Sequence, residues 1–203
     1  ANDSADVREV RRLFAEGKFR EAFDRFAAWE SCLLQHSDDY IVNYSYYGDW
    51  AGPAYACKSN EGAPSAVTPG IFMSSGYSYY NCRLLAQFAA RLNRPEDEKR
   101  WQDMAGRVKA AMLTKWYDPE TAVMATGSMA CQVFSLWLGL IPEGDRARAI
   151  RRVHDELIAS GDRFTTGNLC TRYLMDMLCE GGYLEDAWRL ATKQDYPSWG
   201  YMA

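Results

Sequence analysis

Over most of this chain apolar residues return every three or four positions, the period of an α-helix with one face turned to a core. Val7, Val10 and Phe14 mark a short first helix that Asp3 or Ser4 can cap and Gly17 ends. Phe23, Phe26, Trp29 and Leu33 place a second helix with those four side chains on one face. After a loop over residues 37–75, three helical hairpins follow. The first joins a helix near 76–92 to one near 95–116, with Pro95 as a first helical residue and Glu96 and Asp97 at the positive end of the dipole. The second joins 128–140 to 142–159, where Pro142 repeats the role of Pro95. The third joins 169–180 to 183–194 through Gly181-Gly182.

Two asymmetries organise these helices. Met129 to Leu140 is apolar nearly all round, whereas 95–116 and 142–159 carry charge along one side. A helix apolar on all sides must be covered on all sides, so first helices belong inside and second helices outside. Connections within a hairpin are short and those between hairpins are long: 117–127, 160–168 and 195–203. The long connections gather at one end of such an arrangement, and they carry Tyr117, Phe164, Thr165, Thr166, Tyr196, Trp199 and Tyr201. Loops on a rigid scaffold are where binding residues concentrate. Six hairpins close an α/α toroid, and this chain of about eight helices supplies four, so it is either an open helical solenoid or, the expectation here, an incomplete barrel cut from a longer protein.

Composition adds little against this reading and removes some rivals. The 203 residues suffice for one large core, with 48% hydrophobic and 25% charged residues. Seven Trp and 13 Tyr supply flat faces with a polar edge, suited to core and binding site alike. A net charge of −4 gives no basic surface to attract nucleic acid or an anionic membrane, and no apolar run reaches membrane-spanning length. The six cysteines (Cys32, Cys57, Cys82, Cys131, Cys170 and Cys179) form no C-x-x-C pair and read as buried free thiols. His36 and His154 are far apart, and His154 reads as a packed helix histidine rather than a metal ligand. The start, Ala1-Asn2-Asp3-Ser4, resembles an internal cut, so bacterial cytoplasm, periplasm and secretion all stay open.

The chain carries Tyr46-Tyr47-Gly48-Asp49-Trp50-Ala51-Gly52-Pro53 and Thr68-Pro69-Gly70, then Arg163-Phe164-Thr165-Thr166-Gly167 and Asp195-Tyr196-Pro197-Ser198-Trp199-Gly200-Tyr201-Met202. Leu92-Asn93-Arg94-Pro95-Glu96-Asp97, Trp116 with Asp118, Gln132 with Leu136 and Leu138-Gly139-Leu140-Ile141-Pro142 lie between them. In this order and at these separations they resemble the catalytic domain of α-L-rhamnosidases, family 78 of the glycoside hydrolases, from about residue 20 onward. The resemblance implies an all-α fold, an (α/α)6 toroid of six-hairpin glycosidase type, of which residues 1–203 are a central to C-terminal part. It also implies an inverting exo-glycosidase that releases terminal α-L-rhamnose. Inversion needs a carboxylic acid at the leaving oxygen and a carboxylate ~6.5–9.5 Å away that activates water. The family's acid belongs to an Asp- and Arg-rich motif ahead of Gly-Asp-Trp, and nothing before Tyr44 resembles it. Its base is the Glu of a Thr-Thr-x-Trp-Glu motif beyond Tyr-Pro-Ser-Trp-Gly-Tyr-Met, and Ala203 comes first. Neither catalytic carboxylate is therefore expected within this chain, no metal or organic cofactor is implied, and the partners are a rhamnoside and the missing parts of its own barrel.

The candidate substrate-binding residues are Asp49, Trp50, Trp199 and Tyr201. Trp50 can stack on the apolar face of a sugar or anchor its own loop. Asp49 can accept sugar hydroxyls or cap backbone amides of its loop. Trp199 and Tyr201 can meet sugar or wedge between inner helices. Thr166 reads as a helix N-cap, Arg151-Arg152 and Glu96 to Arg100 as solvated faces, and Asp118 with Glu120 as a turn rather than a catalytic pair. Two other readings stay open: a helical-repeat module that binds protein in a groove, and a barrel of this shape acting on another sugar. A uronic acid would want clustered cations, and only Arg163 and Arg172 are near these loops.

Overall fold

The computed structural model describes residues 5–43, 48–49, 52–53, 67–196 and 198–202. The chain forms two compact units, one of residues 1–43 and 77–111 and the other of 44–76 and 112–203. Nine helices and one small two-stranded sheet are found among the described residues.

In the first unit α1 (Ala5–Ala15) packs on α2 (Phe19–Gln35). The residue of α1 that reaches the core is Leu13, while Phe14 is half exposed against Phe19 and Phe88. On α2 the expected four-residue face is corrected. Ala22, Phe23 and Glu30 are buried, Phe26 is half-buried, and Trp29 stands out in solvent. Adjacent helical residues point about 100° apart, so turning Glu30 inward turns Trp29 away. The α3 helix (Gly70–Arg91) begins well before residue 76, because Phe72 and Met73 are core residues and Ser75 folds its hydroxyl onto the Ile71 carbonyl at 2.8 Å. Asn93 then turns the chain at φ +54, with the Arg94 amide on the Ala89 carbonyl and the Asn93 amide on that of Ala90. These paired bonds satisfy the last carbonyls of α3. The α4 helix (Pro95–Trp116) starts on Pro95 as expected and buries Trp101, Val108 and Met112.

The second unit is built round α5 (Met129–Leu138), nearly every residue of which is buried. It packs on α6 (Glu143–Ala159) and α7 (Thr171–Glu180), and α7 in turn packs on α8 (Leu184–Thr192). Pro142 sits one place earlier than Pro95 does, as the cap of α6 rather than its first residue. Gly76 of α3 lies close against Phe134 of α5: a Cβ there would lie 2.3 Å from the ring. The 117–127 connection contains an unforeseen hairpin, β1 (Tyr117–Asp118) antiparallel to β2 (Val123–Met124), with Tyr117 opposite Met124. The buried side chain of Gln132 stitches that hairpin to α5, its Oε1 accepting the Met124 amide at 2.7 Å and its Nε2 donating to the Ala122 carbonyl at 2.9 Å.

Several other side chains find specific partners. Asp118 accepts the Glu120 amide at 2.9 Å and the Thr121 hydroxyl at 2.5 Å, so it makes the turn. Arg152 is exposed yet not merely solvated, since its Nε donates to the Thr121 carbonyl at 2.8 Å. Cys82, Cys131 and Cys170 are buried thiols, whereas Cys32 and Cys179 are exposed, and Cys57 lies outside the described residues. His154 stacks on Tyr183 at 3.8 Å between ring centroids, with Nε2 3.2 Å from Asp186. Among the described residues no helix is long and apolar enough to cross a membrane, and no cluster of metal-type side chains is present.

Candidate functional site

Within the second unit a cavity of about 450 Å³ opens between three segments that are distant in sequence. Gly52 and Pro53 form one side, Phe164, Thr166, Gly167 and Asn168 with Thr171 and Arg172 a second, and Tyr196, Ser198, Trp199 and Tyr201 the third. That volume falls within the usual range for small-molecule sites, about 300–1,000 Å³. Four aromatic rings, the hydroxyls of Thr166, Thr171 and Ser198 and the amide of Asn168 are among its lining, and Arg172 is the cation there.

The aromatic wall is local. The short helix α9 (Trp199–Met202) starts at Ser198, whose Oγ accepts the Tyr201 amide at 3.1 Å, where the sequence had suggested only loop. One turn of helix sends Trp199 and Tyr201 to different neighbours. Trp199 is half-buried and lies 5.5 Å from the Phe164 ring, tilted by 41°. Tyr201 is 60% exposed and meets Tyr196 edge-to-face at 5.5 Å. Both line the cavity, so the structure brings together two of the four sequence candidates. Trp50, together with Tyr46 and Tyr47, lies outside the described residues.

Asp49 is placed differently. Its side chain is not among those lining the cavity, and the residue is 2% exposed. Its Oδ2 accepts the Gly167 amide at 2.5 Å, and its Oδ1 accepts those of Leu169 at 2.9 Å and Cys170 at 3.1 Å. The amides belong to the turn entering α7, whose cap residue, Cys170, offers no side-chain bond of its own. Burial pushes the Asp49 carboxyl above its ordinary range, against the pull of those amides and the Cys170 thiol. Burial and the neighbouring Asp49 raise the Cys170 thiol in turn, which keeps it protonated. Gly48 is tied down as well, because a Cβ there would lie 1.7 Å from the Thr68 carbonyl oxygen.

Thr166 does not cap α7, correcting the expectation. It is buried, and its hydroxyl pairs with that of Thr171 at 2.7 Å. Thr165 turns the other way and donates to Glu156 at 2.8 Å. Tyr117 does not join the cavity either, since its hydroxyl donates to Asp145.

Sequence reasoning missed one buried and one half-buried acid. Glu30, in the first unit, is fully buried and receives hydrogen bonds from the Ser78 hydroxyl and from Asn81 Nδ2 at 2.9 Å. Burial raises it above the ordinary carboxylate range, the setting in which a general acid is sought, but at 0% exposure no substrate atom can reach it. Glu156, half-buried on α6, is raised for the same reason. The signal for Glu30 was its place seven residues after Phe23, on the same helical stripe.

The family model described as the bacterial alpha-L-rhamnosidase 6 hairpin glycosidase domain matches residues 16–203. Among similar proteins, an alpha-L-rhamnosidase of Streptomyces avermitilis is 26% identical over 181 residues, covering 89% of this chain and 16% of the relative. An alpha-L-rhamnosidase of Formosa agariphila is 22% identical over 185 residues, covering 91% and 20%. The chain thus spans roughly a sixth to a fifth of the length of these relatives. Among solved structures, an alpha-L-rhamnosidase from Dictyoglumus thermophilum superimposes with a TM-score of 0.80 at 27% identity, over 91% of this chain and 20% of that one. The S. avermitilis alpha-L-rhamnosidase complexed with L-rhamnose gives 0.78 at 24%, over 91% and 16%.

Proposed function

The chain belongs to the bacterial α-L-rhamnosidase six-hairpin glycosidase family, and from that premise we propose that residues 1–203 form part of an inverting exo-glycosidase acting on terminal α-L-rhamnose. The observation that carries the reading is the cavity on which segments 52–53, 164–172 and 196–201 converge. A deoxy sugar such as rhamnose offers a methyl-bearing apolar face to aromatic rings and a hydroxyl edge to polar side chains, and this cavity provides both, its polar groups being Thr166, Asn168, Thr171 and Ser198. Trp199 and Tyr201 are the described side chains we assign to sugar contact, with Trp50 as the third.

The hydrolytic step needs an acid and a base on opposite faces of the sugar. We assign neither role to a residue of this chain. Glu30 is enclosed, Asp49 is hydrogen-bonded through both oxygens, and Asp118 makes a surface turn. The segment's part in the reaction is to bind and orient.

Two assays test the proposal. The complete natural protein should release L-rhamnose from an aryl α-L-rhamnoside, the product forming first as the inverted β-anomer in an NMR time course. Trp199→Ala should raise KM with little change in kcat, as expected for a contact made equally in ground and transition states. A protein that leaves the rhamnoside intact while cleaving a glucuronide or glucoside would sink the rhamnose assignment and favour a barrel for another sugar.

A further inference from the structure

We infer that Asp49 is a positioning residue for this cavity, holding the turn at 167–170 through its backbone and touching no sugar itself. The inference rests on the reading of the cavity as a sugar site, and its structural half can be measured apart from that reading.

A carboxylate offers about four acceptor sites. At Asp49 three amides occupy three of them, on both oxygens. At 2% exposure there is no path by which a sugar hydroxyl reaches it. The donors lie 118 to 121 residues further along the chain, so this is a tie between two walls and not a local cap. One wall follows Asp49 at Gly52 and Pro53, and the other is the bonded turn itself.

The turn's contribution to the cavity depends on that tie. Asn168 sits between two bonded amides, is itself exposed, and lines the cavity as its polar amide side chain. Gly48 fixes the other end, since its contact with the Thr68 backbone leaves Asp49 no room to back away. Charge-assisted bonds to a buried carboxylate are among the stronger ones available for such a purpose.

Asp49→Asn is the decisive variant in the complete natural protein. It keeps one acceptor oxygen and sets an NH2 donor against an amide donor. Hydrogen exchange read by mass spectrometry over residues 163–172, together with calorimetric binding of L-rhamnose, should show two changes. Exchange in this segment speeds at least tenfold, and the Kd for L-rhamnose rises about tenfold. The loss should be equal for rhamnosides lacking the 2-, 3- or 4-hydroxyl in turn, because no single hydroxyl depends on Asp49. A loss that vanishes with one deoxy sugar would show direct contact and overturn the inference. Unchanged exchange, or faster exchange with unchanged Kd, would overturn it too. Asp49→Ser, smaller and neutral, replaces Asp49→Asn if that variant does not fold. Global unfolding of both would make Asp49 a general stability residue and defeat the local assignment. If the unaltered protein binds no rhamnose, the sugar reading fails, while the exchange result still decides whether Asp49 holds the turn.

Discussion

Glu30 accepts the side-chain amide of Asn81 at 2.9 Å inside a fully buried pocket, and its other recorded partner, Ser78, is equally neutral. Among the described residues no opposite charge partners this acid, and neutral hydrogen bonds hold it. Its folded-state carboxyl is raised above the ordinary value by burial. The stability it contributes is therefore fully present below the unfolded carboxyl value of about 4.3, and is lost as pH rises through the folded value. Glu30→Gln keeps an acceptor for Asn81 and a donor for Ser78 and carries no proton to lose. Urea midpoints at pH 5 and pH 8 should show the variant gaining on the natural chain as pH rises. A difference that stays constant would disprove the linkage. Glu30→Ala, which strands both donors, should cost about 1–3 kcal/mol.

Gln132 ties the 117–124 hairpin to the most buried helix of the second unit. Gln132→Leu removes both bonds and leaves the Met124 amide and the Ala122 carbonyl unpaired, a loss of about 1–3 kcal/mol. Hydrogen exchange of the 117–127 segment should rise well above that of α7. Equal protection in both proteins would show that the stitch is dispensable.

Gly48→Ala places a methyl group on backbone, 1.7 Å from the Thr68 carbonyl oxygen. Backbone cannot swing aside as a side chain does, so the Gly48-Asp49 loop must move. The expected cost is about 1–3 kcal/mol, measured by thermal unfolding, with L-rhamnose affinity falling alongside. Gly76→Ala meets the rim of the Phe134 ring instead and should be relieved in part by Phe134→Leu.

Trp199 and Phe164 make one wall of the cavity, their rings 5.5 Å apart. Phe164→Ala should weaken L-rhamnose binding about three- to tenfold by loosening Trp199, in line with the ~0.5–1.5 kcal/mol of an aromatic pair. Titration of both single variants and the double variant settles this: fully additive losses would mean that Phe164 gives Trp199 no support.

Much of the helical framework was legible because its signals are local. Pro95 with Glu96 and Asp97 fixed the start of α4, and the all-round apolarity of residues 129–140 announced a helix buried on every side. Trp199 and Tyr201 could be singled out from their aromatic loop and do line the cavity. That Asp49 binds backbone amides was one of two roles open in the sequence, but that those amides lie more than a hundred residues away was hidden, because amides carry no sequence signature. Glu30 was hidden by the opposite effect, since an acid on an amphipathic helix reads as solvated unless its neutral donors are known to face it. The strands at 117–118 and 123–124 are two residues each, too short for any alternation to show.

The bond from Asp49 to the turn at 167–170 closes a loop of well over a hundred residues. Closing so long a loop carries an entropic cost that the local helical turns do not, and contacts of that separation form late in folding. The cavity is thus completed only after the hairpins have assembled, and a change at Asp49 should leave the folding rate nearly intact while hastening unfolding. A chevron plot of Asp49→Asn, with its folding arm unmoved and its unfolding arm raised, is the kinetic signature expected of a cavity that is added last to a finished scaffold.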